Sequence, residues 1–173
     1  MRHVHLPRWA AAALLAAALP CAGTAGAQSQ PATYSVKLLT PETALTAAQA
    51  ALAHCRKAGY QVAVAVVDRS GLLQVLLRDR FAGPHTIDVA PRKAWTAASM
   101  RMPSTEVAAE TQAGKPMSGL RALPQLMAAG GAVLIEASGA TLGAIGVSGA
   151  PGGDADDDCA RAGVKAIADA IEF

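Results

Sequence analysis

A glycine-rich stretch at residues 130–163 constrains the fold of this chain more than any other part of the sequence. Two short apolar runs, residues 133–135 and 142–147, flank a Ser138-Gly139 turn, which is the pattern of a β-hairpin. A Gly/Ser/Pro cluster ends the second strand, and the residues after it predict a closing helix with an apolar face at Ala160, Val164, Ile167 and Ile171. The stretch therefore predicts a hairpin, a tight glycine corner and a packed final helix.

The closing helix begins in an acidic cluster that consists of Asp154, Asp156, Asp157 and Asp158. No phosphate-binding or dinucleotide-binding loop is indicated, because the sequence lacks the Gly-Lys-Ser/Thr and G-x-G-x-x-G patterns there. A calcium loop is excluded because Cys159 stands where such a loop needs glycine and Lys165 stands where it needs glutamate. Carboxylates suit the positive end of a helix dipole, so we interpret the cluster as a solvated helix N-terminus.

Residues 1–27 have the features of a secretory signal peptide. Basic residues precede an unbroken apolar run at residues 10–19, and small residues follow it. We expect cleavage before Gln28 and no lipid on Cys21, because Pro20 fits a lipid-attachment box poorly. The run is also too short to span a bilayer. The sequence predicts a periplasmic or secreted protein without a stable membrane anchor.

Residues 41–173 are long enough to form one domain with a buried core, and residues 28–40 are expected to form a short arm before it. Loss of the signal peptide removes Arg2 and Arg8 and leaves as many basic as acidic residues, so the mature chain is near neutral. No basic stripe appears elsewhere, which argues against nucleic acid as a partner.

Local signals divide this domain into helices and hairpins. Thr40-Pro41 predicts the start of a first helix that ends near Ala58, with a buried face at Leu45, Ala48, Leu52 and Cys55. The other predicted elements before the final hairpin are strands at residues 61–68 and 72–78, helices at 88–101 and 104–111, and a loop at 114–119. This order predicts an α+β fold, an antiparallel sheet with helices packed on it.

Three segments resemble the GlcG/HbpS-like proteins, a family named for a glycolate-operon protein and an extracellular haem-binding protein. The first is AVAVVDRSGLLQVLLRDRFAG at residues 63–83. In the second, RKAWTAASM, the family's Lys-Ala-x-Thr-Ala helix is matched by Lys93, Ala94, Thr96 and Ala97. The third, LGAIGVSG at residues 142–149, is similar to the family signature I-G-A-I-G-V-S-G. The resemblance covers residues 59–163.

The resemblance implies a profilin-like fold, in which the first and last helices lie together on an antiparallel sheet. It also implies compact homo-oligomers, often octamers. Some members bind haem, in extracellular or periplasmic settings and in a domain fused to PduO-type corrinoid adenosyltransferases. Pro91 and Trp95 depart from the usual helix motif, and Ala132-Val133 replaces a common Pro-Ile pair. These departures concern the shape of the pocket more than the fold.

Two histidines lie outside the signal peptide, and the resemblance makes His85 the first candidate ligand to a haem iron. From its position after Gly83-Pro84 alone, His85 would be a loop or helix-cap residue. His54 and Cys55 are neighbours on a helix and point about 100° apart, so no more than one of them could face an iron. The alternatives are a solvated position for His54 and a small core residue for Cys55.

Three further side chains are candidates for holding a cofactor. Lys93 could bind a propionate or another carboxylate, or pair with a carboxylate of the chain such as Asp88. Thr96 could line the site, or be a core hydroxyl bonded back to its own helix. Met117 could offer a thioether at the rim of the 114–119 loop, for which an ordinary surface loop is the alternative.

Two classes of function remain open at this stage. No G-x-S-x-G elbow or H-E-x-x-H zinc pair is present, and no catalytic constellation is indicated. The first hypothesis is an exported haem-binding or tetrapyrrole-binding protein. The alternative is a small-molecule-binding protein, accessory protein or enzyme of organic-acid metabolism that does not use haem.

Cysteine and alanine content lead to two structural expectations. Cys55 and Cys159 are the two cysteines left after export, and an oxidising compartment would let them pair if the first and last helices are adjacent and antiparallel. Ala90, Ala94, Ala97 and Ala98 give the 88–101 helix a side so small that another backbone can approach it closely. Because large core side chains are few, we expect small faces of this kind to be apposed in a homo-oligomer.

Overall fold

The computed structural model describes residues 31–172. The predicted signal peptide, residues 1–27, and the first residues of the arm lie outside this range. Residues 31–35 are exposed and carry no helix or strand, whereas residues 36–173 form one compact unit. None of the helices in the described part is long and apolar enough to cross a membrane.

The compact unit contains four strands and four α-helices, which confirms the predicted α+β class. In chain order they are α1 (Pro41–Lys57), β1 (Ala63–Asp68), β2 (Leu73–Arg78), α2 (Thr86–Met100), α3 (Ser104–Glu110), a 3-10 helix (Ser118–Ala122), β3 (Ala132–Ala137), β4 (Ala140–Ser148) and α4 (Gly153–Ile171). The strands form one antiparallel sheet in the order β2-β1-β4-β3. Both predicted hairpins are present, and β4 joins them at the centre of the sheet.

Helices cover both faces of the sheet. On one face α1 and α4 lie side by side, and their apolar residues share a core with Val64, Val66 and Ile145 of the central strands. The predicted pairing of the first and last helices is therefore confirmed. On the opposite face α2 crosses β1 and β4.

The predicted buried face of α1 is wrong at one position. Ala48, Leu52 and Cys55 are buried, but Leu45 is 38% exposed. Ala47 is buried on this side instead. α1 and α4 approach each other closely at this position, since a Cβ on Gly163 of α4 would lie 2.7 Å from the carbonyl oxygen of Ala47. The contact therefore leaves room only for small side chains.

The alanine side of α2 is apposed to the chain's own sheet. Ala90 and Ala94 are buried against β4, and a Cβ on Gly146 would overlap the Ala90 carbonyl and lie 2.7 Å from the Ala94 nitrogen. Another backbone does approach this small face, as the sequence predicts, but that backbone is β4. The alanine face therefore gives no reason to expect a second copy of the chain.

Cys55 and Cys159 form a disulfide between α1 and α4. The Cα atoms of Cys55 and Cys159 lie 5.5 Å apart, within the range that a disulfide allows, and both residues are buried. The bond joins the last turn of α1 to the second turn of α4. The predicted pairing is confirmed.

Candidate functional site

A cleft of about 400 Å³ opens at the end of the sheet where β4 stops. Its walls are the first turns of α2, the segment that precedes β3, and the loop between β4 and α4. The cleft is lined by Gly83, His85, Thr86, Val89, Lys93, Ala129, Gly130, Ser148, Gly149, Ala150, Gly152, Gly153 and Asp156. Two residues that the sequence singled out, His85 and Lys93, thus line one cavity.

A second groove of about 220 Å³ lies near the start of α1 and is mostly apolar. Its lining contains Leu38, Leu39, Leu142 and Ile171, and Lys37 is its one ionisable residue. It has no imidazole or carboxylate in its lining, so we take the larger cleft as the candidate site.

Lys93 forms a buried ion pair with Asp156 at the inner end of the cleft. The Lys93 ammonium lies 2.7 Å from Asp156 Oδ2 and donates a second hydrogen bond, 3.1 Å long, to the carbonyl oxygen of Val147. The other Asp156 oxygen accepts a hydrogen bond from the Ala150 backbone N–H at 3.0 Å. Lys93 therefore joins α2 to the start of α4. The predicted alternative, a pair with a carboxylate of the chain, is confirmed, but the partner is Asp156 and not Asp88.

Burial raises the pKa of Asp156 above its ordinary value, because removal of the carboxylate from water disfavours its charged form. The Lys93 ammonium and the Ala150 N–H lower the pKa and offset part of this effect. The Lys93 ammonium thus favours the charged form of the Asp156 carboxylate inside the protein.

Asp157 is also buried, in a second set of contacts beside the first. One of its oxygens accepts from the Gly131 N–H at 2.8 Å, and the other accepts from the Thr105 hydroxyl at 2.6 Å. The Arg161 guanidinium lies 3.4 Å away. The first turn of α4 is thereby fixed to the start of β3 and to α3.

The interpretation of the acidic cluster as solvated is wrong for two of its four members. Asp156 and Asp157 are 3% and 2% exposed, whereas Asp154 and Asp158 are exposed. The reason is tertiary, since α4 begins against the end of the sheet and its inner side meets Lys93 and Gly131. A Cβ on Gly131, whose φ is +122°, would lie 2.7 Å from both the Lys93 ammonium and the Val147 carbonyl oxygen.

His85 lies at the mouth of the cleft and immediately precedes α2. Its side chain is exposed and makes no hydrogen bond or ion pair within residues 31–172. The imidazole lies against Gly83, where an added Cβ would come within 2.6 Å of Cε1 but 3.8 Å of Nε2. The ring is thus supported by backbone and has an available nitrogen.

The other candidate residues do not line the cleft. The Thr96 hydroxyl donates to the Arg92 carbonyl and accepts from the Met127 N–H, both at 2.8 Å, so it fixes the segment before β3 to α2. His54 is exposed on α1, and Met117 is half-buried before the 3-10 helix. A ligand role for Thr96, His54 or Met117 stays a prediction.

Sequence reasoning missed Ser148, Asp156 and Asp157 as residues of this region. The useful signal was the Gly130-Gly131 pair, since two glycines before a strand allow other groups to approach the backbone closely. Within the described residues, no three His, Cys, Asp or Glu side chains are grouped so that they could hold a metal ion.

Comparisons with known proteins agree with this architecture. A family model described as "Haem degrading protein HbpS-like" matches residues 39–165. HbpS from Streptomyces reticuli, solved as a double mutant, is 40% identical with a TM-score of 0.73, covering 86% of this chain and 97% of that one. A structure of a PduOC–heme complex is 27% identical with a TM-score of 0.71, covering 76% of this chain and 96% of that one.

A curated relative is the corrinoid adenosyltransferase PduO of Citrobacter freundii, which is 30% identical over 121 residues. The match covers 69% of this chain but 36% of that protein, so this chain corresponds to about a third of it. The family model spans nearly all of the compact unit, including α2, β4 and the start of α4 that form the cleft. The chain therefore belongs to the HbpS-like family.

Proposed function

We propose that this chain is an exported haem-binding protein that takes the tetrapyrrole at the cleft between α2 and the β4–α4 loop. The observation that carries the proposal is the His85 imidazole, which has no partner within residues 31–172 and lies at the cleft mouth. Imidazole is a common protein ligand to haem iron. Membership of the HbpS-like family and the heme bound to the related PduOC support the same ligand.

The residues present fit such a group. The cleft has a volume within the range of small-molecule sites, and glycine, alanine and Val89 supply much of its wall, so a flat apolar ring meets little obstruction. His85 would hold the iron, and Lys93 at the inner end would face a carboxylate. Bound haem supplies an iron centre able to bind small ligands or change oxidation state. The chain's own residues bind it, orient it and limit its contact with water.

Titration with hemin tests this proposal. We expect wild-type protein to shift the Soret band, His85→Ala to abolish the shift, and His54→Ala to retain it. His54 is the matched control because it is an exposed histidine on α1, outside the cleft. Absence of a shift in wild type would overturn haem binding and leave the organic-acid alternative in the lead. Loss of the shift in His54→Ala alone would move the site to α1.

Export is part of the proposed function. The signal-peptide pattern of residues 1–27 supports it, and so does the Cys55–Cys159 disulfide, because such bonds persist in oxidising compartments such as the periplasm. The intact mass of the exported product should correspond to a chain that begins at or near Gln28. A mass that includes residues 1–27, or a lipid on Cys21, would contradict export in this form.

We also propose that the protein acts as a homo-oligomer through the β2 edge. β2 is an edge strand of the described sheet, and Leu72, Leu73 and Leu76 beside that edge are 67%, 52% and 38% exposed. Exposed apolar side chains on a strand whose outer edge is unpaired favour association. Sedimentation at micromolar concentration should give a multiple of the chain mass, and Leu73→Lys/Leu76→Lys should lower it. A monomeric wild type would contradict the proposal.

A further inference from the structure

The inner end of the cleft contains a hydroxyl group with no protein partner. Ser148 is 4% exposed and lines the cleft, yet its hydroxyl makes no hydrogen bond within residues 31–172. Gln74 Oε1 is the one side-chain oxygen or nitrogen in that range that is both fully enclosed and unpartnered. The Ser148 hydroxyl is therefore not sealed in the core but opens into the cleft, where a ligand can reach it.

The Lys93 ammonium beside it also has an unused donor. An ammonium carries three N–H groups. One is used by Asp156 and one by the Val147 carbonyl, and no further acceptor within residues 31–172 takes the third. Because Lys93 lines the same cleft, an acceptor atom of a ligand could complete its hydrogen bonding.

A third set of donors comes from the start of α4. The 19-residue helix begins after Gly152, which has no side chain to cap it, and its first bond to this residue is made by the Asp156 N–H. The N–H groups before Asp156 have no intrahelical acceptor, as at any helix start. Gly152 and Gly153 line the cleft, so the positive end of the helix dipole is at the same wall.

The charges at this wall disfavour a group with more than one negative charge. Asp156 and Asp157 are held by Lys93 and Arg161, so neither carboxylate is without a basic neighbour. Asp154 and Asp158 remain exposed near the helix start and oppose a more highly charged phosphate. The available donors are an ammonium N–H, a hydroxyl and backbone amides, which suit a carboxylate.

We infer that Ser148, Lys93 and the first amides of α4 form a carboxylate-binding subsite that orients the ligand in the cleft. The inference rests on the proposed function insofar as the carboxylate is a haem propionate. Ser148 is the member that the sequence did not indicate, and it gives the cleanest test, since its hydroxyl makes no contact that the fold needs.

The test compares hemin with hemin dimethyl ester, which keeps the iron and the ring but lacks free carboxylates. Loss of one hydrogen bond to a charged group corresponds to about a tenfold weakening or more. We expect Ser148→Ala to lower the affinity for hemin by about this factor and to leave the affinity for the dimethyl ester unchanged. Ser99→Ala, an exposed serine on α2 outside the cleft, should leave both affinities unchanged. If Ser148→Ala lowers the affinity for both ligands equally, or does not lower the affinity for hemin, the inference is overturned.

A second measurement separates this subsite from haem binding. Titration of the wild-type protein with sodium acetate, followed by amide NMR, should shift the resonances of Gly152 and Gly153 with a smaller response in Ser148→Ala. If these shifts occur while hemin fails to bind, the carboxylate subsite stands and the haem proposal falls. If acetate shifts no resonance at the start of α4, the subsite is disproved whatever hemin does.

Discussion

Replacement of Lys93 by methionine is expected to lower the free energy of unfolding at neutral pH by about 3–5 kcal/mol. Lys93 and Asp156 are 5% and 3% exposed, and the ammonium is the basic group in contact with the Asp156 carboxylate. Methionine fills much of the lysine volume, so the loss comes from an unpaired buried charge rather than from a cavity. Urea unfolding of the two proteins, followed by circular dichroism, measures the difference.

The difference in unfolding free energy between wild type and Lys93→Met should become smaller as the pH falls. Without the ammonium, burial raises the Asp156 pKa further above its unfolded value of 3.8. A carboxyl group whose folded pKa is raised holds its proton more tightly in the folded state, so the variant regains stability between its folded pKa and the unfolded value. Unfolding curves between neutral pH and pH 4 should therefore converge. A pH-independent deficit would contradict this account.

Two controls test the origin of the effect. Lys115→Met removes a lysine from a half-exposed pair with Glu110, where the N–O distance is 3.5 Å, and should change stability by about 0–1 kcal/mol. Lys93→Met/Asp156→Leu removes both buried charges and should recover most of the loss. If Lys93→Met lowers the free energy of unfolding no more than Lys115→Met does, the buried Lys93–Asp156 pair does not stabilise the fold as described.

The order of elements could be predicted from the sequence because the signals that set it are local. Thr40 accepts a hydrogen bond from the Thr43 N–H and caps α1 as the Thr40-Pro41 pattern indicates. Ser138 and Gly139 have φ of +48° and +75°, values that a two-residue hairpin turn requires. Such features depend on a few consecutive residues, and their structure agrees with the prediction.

Burial could not be predicted where packing partners are distant in sequence. An acidic first turn has the same local pattern whether it is solvated or buried, and the groups that bury Asp156 and Asp157 are Lys93 and Gly131, far along the chain. Leu45 was assigned to the core because it shares a helical face with Ala48, Leu52 and Cys55, yet α4 approaches α1 closely at Ala47 and leaves Leu45 exposed. In both cases the deciding contact is tertiary.

The two candidate residues that line the cleft were found from different signals. His85 became the first candidate ligand through the family resemblance, since its position after Gly83-Pro84 alone indicates a loop or helix-cap residue, whereas Lys93 is a charge in a helix of small residues. Ser148 did not stand out, because a serine in a Gly/Ser/Pro cluster is ordinary turn composition. Only the three-dimensional structure shows that the Ser148 hydroxyl lines the cleft without a partner in the described residues.

Removal of the Cys55–Cys159 disulfide is expected to lower the free energy of unfolding by about 2–5 kcal/mol. The two residues are 104 positions apart, so the bond closes a loop that contains all four strands of the described sheet and greatly restricts the unfolded chain. The variant is Cys55→Ala/Cys159→Ala, compared with wild type by urea unfolding, with both proteins produced as residues 28–173. The dependence of its unfolding free energy on urea should also steepen, because an unfolded chain without the cross-link exposes more surface.

Chemical reduction provides the control for this prediction. Cys55 is 0% and Cys159 is 1% exposed, so a phosphine reductant reaches the bond mainly when the chain unfolds, and reduction should be carried out in urea before refolding. Reduced wild type should then unfold at nearly the same urea concentration as the double variant, while the reductant leaves the variant unchanged. Equal stability of oxidised and reduced wild type would show that α1 and α4 hold together without the bond. In that case the cross-link would not be needed to keep the start of α4, and with it Asp156, against the cleft.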